Sequence, residues 1–421
     1  MAKTKTKSRS NSKDILRSTN TPLVKGAIST SKSQKSTDDL VSEASELLES
    51  SQPELALPFV QEALRRLEAS KGDYQTVDTL LQLAAQEKPT FPTTLILGGD
   101  ICLALGDVNK ARAQYELATK IDPDGQLISA EPWLQLAQLC EEGGRKSIEY
   151  FDKAIEVMRN EIEVLDDEDN TAMDHTREIV DARRQKVAEA LCGMAELYMT
   201  DLSFEPDCEQ HCERLVIEAV AICPDALSAG VLQTLASMRI SQERVDEAKK
   251  ILAQSLNIWK DIPIDTEDPR RPDFATRVSL ARLLMEVEQE EDAMSVLEGL
   301  IKEDDQSVEC LYLGGWCHLL LSQKGVSTEE GKPDHAAQAR SWLGNCLKLF
   351  KVQQYEDEPL RQHAEELTQQ LNSTLHLMSG EDEWDDTDDD DKEEPDDRGD
   401  LDIEADDIDH QQGKNEDVEM T

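Results

Sequence analysis

Apolar residues recur at spacings of three and four along most of the chain, from residue 38 to residue 378. This spacing places them on one face of an α-helix. Valines rarely alternate with polar residues, and aromatic residues make up only 4% of the chain, so strands are not expected. The pattern therefore predicts an all-α domain over residues 38–378.

The helical pattern is also repetitive, and residues 95–123 contain one complete unit. The large residue Leu95 is followed by Gly99 and Cys102, and a turn comes at Gly106. The second half of the unit consists of Ala111, Tyr115, Ala118 and Pro123. This spacing resembles the tetratricopeptide repeat (TPR), in which W-x₂-L-G-x₂-Y precedes A-x₃-F-x₂-A-x₄-P. A TPR unit is a pair of antiparallel helices, with small residues where the two backbones approach each other.

The first half of this pattern occurs seven times in order along the chain. The seven segments are 40–49, 95–102, 133–140, 188–195, 232–239, 277–284 and 310–317, and each is followed by the second half of the pattern after a turn of variable length. Stacked pairs bury their apolar faces on their neighbours, so the repeats predict a TPR-like α-solenoid superhelix with a groove along it.

A last helix is predicted near residues 358–377, after the seventh pair. Leu360, Leu367, Leu371 and Leu375 form one stripe along it. This stripe is typical of a helix that caps the end of a repeat array. The same leucines also have the spacing of a nuclear export signal, an alternative that the sequence leaves open.

Charge divides the chain, whose net charge is −45, into three parts. Residues 1–37 contain 9 basic residues and 1 acidic residue and lack apolar periodicity, which predicts a disordered basic arm. Residues 379–421 contain 22 acidic and 3 basic residues and include the run EDEWDDTDDDDKEEPDD, which predicts a disordered acidic tail. The domain over residues 38–378 is itself acidic, with a net charge of −34.

The acidic balance restricts the expected partners. A negatively charged protein is repelled by phosphate backbones and by anionic lipid surfaces, so neither nucleic acid nor a membrane is expected as a direct partner. A basic protein is the expected partner. The sequence contains no apolar run of 18 residues and no apolar stretch of signal-peptide length behind its basic start, so we expect the protein in the cytoplasm and nucleus.

Catalytic and cofactor motifs are missing from the sequence. It contains no P-loop, no G-x-G-x-x-G, no G-x-S-x-G and no H-E-x-x-H, so we expect neither an enzyme nor a cofactor. Cys102, Cys140 and Cys317 occupy the Tyr position of the repeat, where a buried thiol acts as a small apolar residue. Cys208, His211 and Cys212 could approach a metal, but packing is the favoured interpretation and no metal site is predicted.

Acidic side chains occupy the positions expected to face the groove. They are Asp100, Glu141, Glu142, Glu189, Glu196 and Glu286, and we predict that they bind the partner. Many TPR proteins hold the C-terminal peptides of chaperones with a basic clamp, and an acidic groove departs from that pattern. For any single residue in the set, a solvated helix face is the alternative. A further acidic segment, residues 161–170, is predicted as a loop inserted between repeats.

The whole layout resembles the fungal family of dedicated chaperones for large-subunit ribosomal protein four. The resemblance rests on a basic arm, seven TPR-like pairs and the EDEWDDTDDDDKEEPDD tail. It implies a superhelix that captures the basic internal loop of the nascent ribosomal protein, keeps that protein soluble and accompanies it to the nucleus for pre-60S assembly. Two other interpretations stay open: a TPR scaffold subunit of a multiprotein complex, and a histone chaperone.

Overall fold

The computed structural model describes residues 35–69, 80, 83, 86, 88–167, 174–264, 266–324 and 334–378. These residues contain fifteen α-helices and no strand, which confirms the all-α prediction. The described residues up to Leu371 belong to one unit, and Asn372 begins a second unit. The predicted acidic tail, 379–421, lies outside the described residues, as does the predicted basic arm apart from its last three residues.

The helices are numbered here in chain order. They are α1 (Thr37–Glu49), α2 (Pro53–Ala69), α3 (Phe91–Ala104), α4 (Val108–Ile121), α5 (Glu131–Gln138), α6 (Gly144–Asp167), α7 (Asp174–Met199), α8 (Cys208–Ile222), α9 (Ala229–Ser241), α10 (Val245–Trp259), α11 (Phe274–Glu286), α12 (Glu290–Glu303), α13 (Val308–Gln323), α14 (His335–Gln353) and α15 (Glu358–Met378). A short 3₁₀ helix, Asp225–Leu227, precedes α9.

The first fourteen helices form seven consecutive pairs, in which each odd-numbered helix packs on the helix that follows it. We call α1, α3, α5, α7, α9, α11 and α13 the first helices. Neighbouring first helices also contact one another. These contacts join α1 to α3, α7 to α9, α9 to α11, and α11 to α13. Each of the seven sequence repeats begins in a first helix, so the predicted register is confirmed.

Small residues permit the two helices of a pair to approach closely. A Cβ atom added at Gly99 on α3 would lie 2.5 Å from the ring of Tyr115 on α4, and Tyr115 is fully buried. A Cβ added at Gly315 on α13 would lie 2.6 Å from Leu343 on α14. No real side chain tolerates such distances, so glycine at these positions fixes the spacing of the pair.

Four of the first helices end in the same type of turn. At the end of α3, the amide of Asp107 donates to the carbonyl of Cys102 over 2.8 Å. At the end of α11, Gln289 donates to Leu284, also over 2.8 Å. This six-to-one hydrogen bond defines the Schellman motif and requires a left-handed residue in the turn. The left-handed residues are Ser51, Gly106, Glu243 and Glu288, with φ between 56° and 76°.

The connection between α6 and α7 differs from the prediction. Residues 161–167 continue α6 as a helix, so the predicted loop over 161–170 is wrong for these residues, while residues 168–170 lie outside the described part. Helices α6 and α7 are 24 and 26 residues long. An ion pair joins them, with 2.8 Å between Arg183 and Glu161. Within this segment, Glu163 is exposed and Glu161 is half-buried in its ion pair with Arg183.

Helix α15 closes the array. Leu360, Leu367 and Leu371 are buried together with Ala364, in a cluster with apolar side chains of α13 and α14. The predicted capping stripe is confirmed at these three leucines, and the side chain of Leu375 lies outside the described residues.

We expect Gly99→Ala to destabilise the protein by about 1–3 kcal/mol, because the added methyl group must displace the buried ring of Tyr115. Gly299→Ala in α12 is the matched control, since a Cβ there meets no atom within 4 Å. The control is expected to gain about 0.5–1 kcal/mol, because alanine loses less backbone entropy in a helix. Urea unfolding followed by circular dichroism measures both. Equal stability of the two variants would contradict the close approach.

Candidate functional site

The face formed by the first helices carries two cavities. The larger, about 510 Å³, is lined by residues of α5, α7, α9 and α11, with one residue of α6. The smaller, about 490 Å³, is lined by residues of α1, α3 and α5. Glu131, the first residue of α5, lines both cavities. We call the surface that contains these two cavities the first-helix groove.

The groove is polar and acidic. Its carboxyl groups are Asp100, Glu131, Glu189 and Glu196. Hydroxyl groups come from Thr234, Ser237, Thr276 and Ser279. Among the described residues that line the larger cavity, Lys186 alone is basic, and its Nζ lies 3.1 Å from Glu131. Negative charge therefore predominates along this face.

Asp100 lies at the boundary between the groove and the core of its own helix pair. The hydroxyl of Tyr115 donates a hydrogen bond to its carboxylate over 2.6 Å. Burial raises the pKa of Asp100, the hydrogen bond from Tyr115 opposes this rise, and the charge of Glu131 adds to it. The Tyr115 ring that fixes the helix spacing thus also orients a groove carboxylate.

Glu189 and Glu196 lie two helical turns apart on α7, so both point to the same face. Burial raises the pKa of Glu189, while a 2.9 Å hydrogen bond from Gln185 and the charge of Lys186 lower it. Burial also raises the pKa of Glu196, and a hydrogen bond with Thr234 lowers it. Both side chains are nevertheless exposed to solvent. Their carboxylates are therefore accessible from the groove, and a cation brought there would stabilise their ionised forms.

Three of the six predicted acids line the groove: Asp100, Glu189 and Glu196. Glu141 and Glu142 lie outside it, because α5 ends at Gln138 and both residues occupy the turn after it. Glu141 is 73% exposed and pairs with Arg112 of α4 over 2.9 Å. The repeat spacing predicts one more helical turn than α5 contains.

Glu286 is the remaining predicted acid. It is exposed at the end of α11, close behind the groove residue Leu283, and does not line either cavity. Sequence reasoning missed Glu131, Lys186 and Gln233, which do line the larger cavity. Glu131 and Lys186 each precede the first position of their repeat segment, Trp133 and Ala188, by two residues, whereas the predicted groove positions all follow packing residues.

The cysteines are packing residues in most cases. Cys102 and Cys317 are buried as predicted, with 2% and 0% of their surface exposed. Cys140 is only partly buried, so the prediction is wrong there, and the cause is again the early end of α5. Burial raises the pKa of Cys317 to about 12, which keeps it a thiol at neutral pH.

The alternative metal site receives no geometric support. The ring of His211 stacks on Tyr198 with 4.8 Å between centroids, and Cys212 donates to the carbonyl of Ala195. Within the described ranges, no group of three or more His, Cys, Asp or Glu side chains is placed to hold a metal ion. The helices of the same ranges include none that is long and apolar enough to cross a membrane.

Comparison with known proteins agrees with this geometry. The tetratricopeptide repeat family matches residues 95–124, which span α3 and α4. The probable assembly chaperone of rpl4 from Emericella nidulans is 36% identical over 366 residues, covering 83% of this chain and 85% of that protein. The chain belongs to the family of assembly chaperones of rpl4.

Other members of the rpl4 chaperone family support the assignment. The probable assembly chaperone of rpl4 from Schizosaccharomyces pombe is 34% identical over 280 residues, covering 65% of this chain and 78% of the relative. A solved structure of the assembly chaperone of RpL4, Acl4 (residues 1–338), aligns with a TM-score of 0.58 at 38% identity, covering 69% of this chain and 99% of that one. The resemblance drawn from the repeats and the tail is confirmed.

The raised pKa values predict a stability effect of the groove acids. A carboxyl group whose pKa is raised by folding destabilises the folded state when ionised, so the cost exists above the raised pKa and vanishes as the pH falls through it. We expect the double variant Glu189→Gln and Glu196→Gln to melt about 1–3 °C above the parent at neutral pH.

The difference should shrink on acidification. Glu142→Gln, in the exposed turn after α5, is the matched control and should leave the melting temperature unchanged. Differential scanning calorimetry across a pH series measures all three. A double variant that melts below the parent at neutral pH would show that the groove acids stabilise the fold instead.

Proposed function

We propose that this chain is a dedicated chaperone that binds large-subunit ribosomal protein four in the first-helix groove. It keeps that client, meaning the protein it holds, soluble and delivers it for nuclear pre-60S ribosome assembly. The observation that carries the proposal is the set of carboxylates, Asp100, Glu189 and Glu196, that line the cavities on the face of the first helices. The names of the relatives, assembly chaperones of rpl4, supply the client.

The physical reason is charge compensation. A protein that binds ribosomal RNA carries many positive charges, and before the RNA is available those charges attract other nucleic acids non-specifically. Carboxylates gathered in one cleft reinforce one another's attraction for a basic side chain. The groove can therefore bind lysine and arginine residues of the client.

The acidic tail, residues 379–421, is proposed to assist the groove. Its charges are dispersed, and salt screens them beyond about 8 Å at physiological ionic strength, so the tail attracts a basic client without reading its sequence. Combining a weak polyanionic site with a groove on one chain raises the effective concentration of each for the client. Selectivity then lies in the groove and association rate in the tail.

The chain is proposed to work in the cytoplasm and the nucleus. Ribosomal proteins are made in the cytoplasm and the pre-60S particle is assembled in the nucleus, so a chaperone that accompanies its client must enter both. The basic arm, residues 1–37, is the candidate nuclear import segment. Imaging of a fluorescent fusion with and without this arm tests the assignment.

Charge reversal of the groove tests the main proposal. Glu189→Lys with Glu196→Lys should weaken binding to purified ribosomal protein L4 at least about tenfold at both low and high salt, because client cations lose their partners. Glu141→Lys with Glu142→Lys is the matched control, since it changes the net charge equally outside the groove. Isothermal titration calorimetry measures both affinities. Equal losses of affinity in the two double variants would contradict binding in the groove and show only a general effect of net charge.

Removal of the tail after Met378 tests the division of roles. Association with ribosomal protein L4 should slow about tenfold at low ionic strength and little at high ionic strength, since steering is an electrostatic rate effect. Selectivity for the client should persist. A full-length control with asparagine and glutamine in place of the tail acids should behave like the truncated chain in stopped-flow experiments. If truncation abolishes binding while the groove variants bind normally, the roles are reversed.

A further inference from the structure

Gln233, in the larger cavity of the first-helix groove, has a buried amide nitrogen, Nε2, without a hydrogen-bond partner. It lies on α9, lines that cavity and has only 5% of its surface exposed. A buried donor that lacks an acceptor carries a desolvation cost, and an incoming acceptor removes that cost.

The chemistry of the unpaired atom limits what can satisfy it. Nε2 is a donor, so the incoming group must bring an acceptor. Lysine and arginine side chains carry donors only and leave Nε2 unpaired. An aspartate or glutamate of the client is repelled by Glu189 and Glu196, which line the same cavity. The incoming group must therefore accept a hydrogen bond and carry no negative charge. A neutral carbonyl oxygen does both, and every residue of a polypeptide main chain supplies one.

Given the client-binding role above, we propose that Gln233 binds the main chain of an extended client segment. Its amide, held by a soft terminal torsion, turns into the cavity, where Nε2 donates to a client carbonyl. Oε1 of the same amide accepts from a client N–H group. An amide that pairs with donor and acceptor at once matches a peptide group and no basic side chain. Gln233 thus positions the client independently of its side chains.

The neighbouring carboxylates fit the same segment. Glu189 and Glu196 are seven residues apart on α7, which corresponds to about 10.5 Å along the helix axis. An extended chain covers this distance in about three residues. A client segment whose peptide group lies on Gln233 can therefore extend basic side chains, which are long, toward both carboxylates. The two carboxylates recognise charge, and the amide fixes the register of the segment.

Two glutamine variants test this proposal. Gln233→Leu removes the unpaired amide and should raise the melting temperature of the free protein while weakening binding to ribosomal protein L4 about tenfold. Gln114→Leu is the matched control, because Gln114 on α4 also has a buried unpaired amide atom, Oε1, and does not line the groove cavities. The control should leave affinity unchanged. Gln233→Met is a second variant for use if leucine perturbs α9.

A peptide with altered backbone then separates main-chain from side-chain recognition. Peptides that tile ribosomal protein L4 identify the tightest binder, and each of its amide bonds is replaced in turn by an ester, which is a weaker acceptor and has no N–H. At one position the ester should weaken binding to the parent several-fold and have no effect on Gln233→Leu. An ester scan with the same profile for both proteins would overturn the proposal.

The outcomes also separate this inference from the proposed function. If Gln233→Leu and Gln233→Met bind the ribosomal protein with parental affinity while the Glu189 and Glu196 reversal weakens binding, the role of Gln233 is refuted and the proposed function stands. If the unaltered protein does not bind ribosomal protein L4, the proposed function fails and the inference fails with it.

Discussion

The close contact between the two helices of a pair is the constraint on which the rest of the structure depends. At Gly99 the backbone of α3 lies so near the ring of Tyr115 that no larger residue fits. This contact fixes the distance between first and second helices, and its recurrence places the first helices of successive pairs side by side. The groove is the surface that remains once each pair has buried its apolar side on its partner. Tyr115 connects the two levels, because its hydroxyl also holds Asp100.

The seven repeats were predictable from sequence because their packing positions accept a narrow range of residue sizes and recur at regular spacing. Leu95, Gly99 and Tyr115 each fill one space between helices, so the residue types at these positions are restricted and can be recognised in the sequence. The same regularity misled where a helix ended early. Helix α5 ends at Gln138, and the connection to α6 closes at Gly143 and Gly144 with positive φ angles of 65° and 35°, so Glu141 lies in a turn rather than on the groove.

Groove residues were harder to predict, since a polar residue on a first helix looks the same in sequence whether it lies on open surface or in a cavity. Asp100, Glu189 and Glu196 were found by their distance from packing residues. Gln233 was not, because its environment depends on α5, α7 and α11, which are remote in sequence. The predicted acidic tail and basic arm came from composition alone, and composition determines charge but no contact.

The groove differs from the packed contacts between helices in the partners that its polar groups find. Between helices, Ser255 donates to the carbonyl of Ala229 over 2.8 Å. In the groove, the carboxylates of Glu189 and Glu196 face solvent, and Nε2 of Gln233 has no hydrogen-bond partner. A basic polypeptide offers a partner for each of these groups. Its side chains supply cations for the carboxylates, and its main-chain carbonyls supply acceptors for Nε2 of Gln233. In the proposed binding mode, the client therefore supplies the partners that the groove lacks. A groove that binds through many modest contacts of this kind would also allow RNA phosphate groups to displace them one at a time when the ribosomal protein is released.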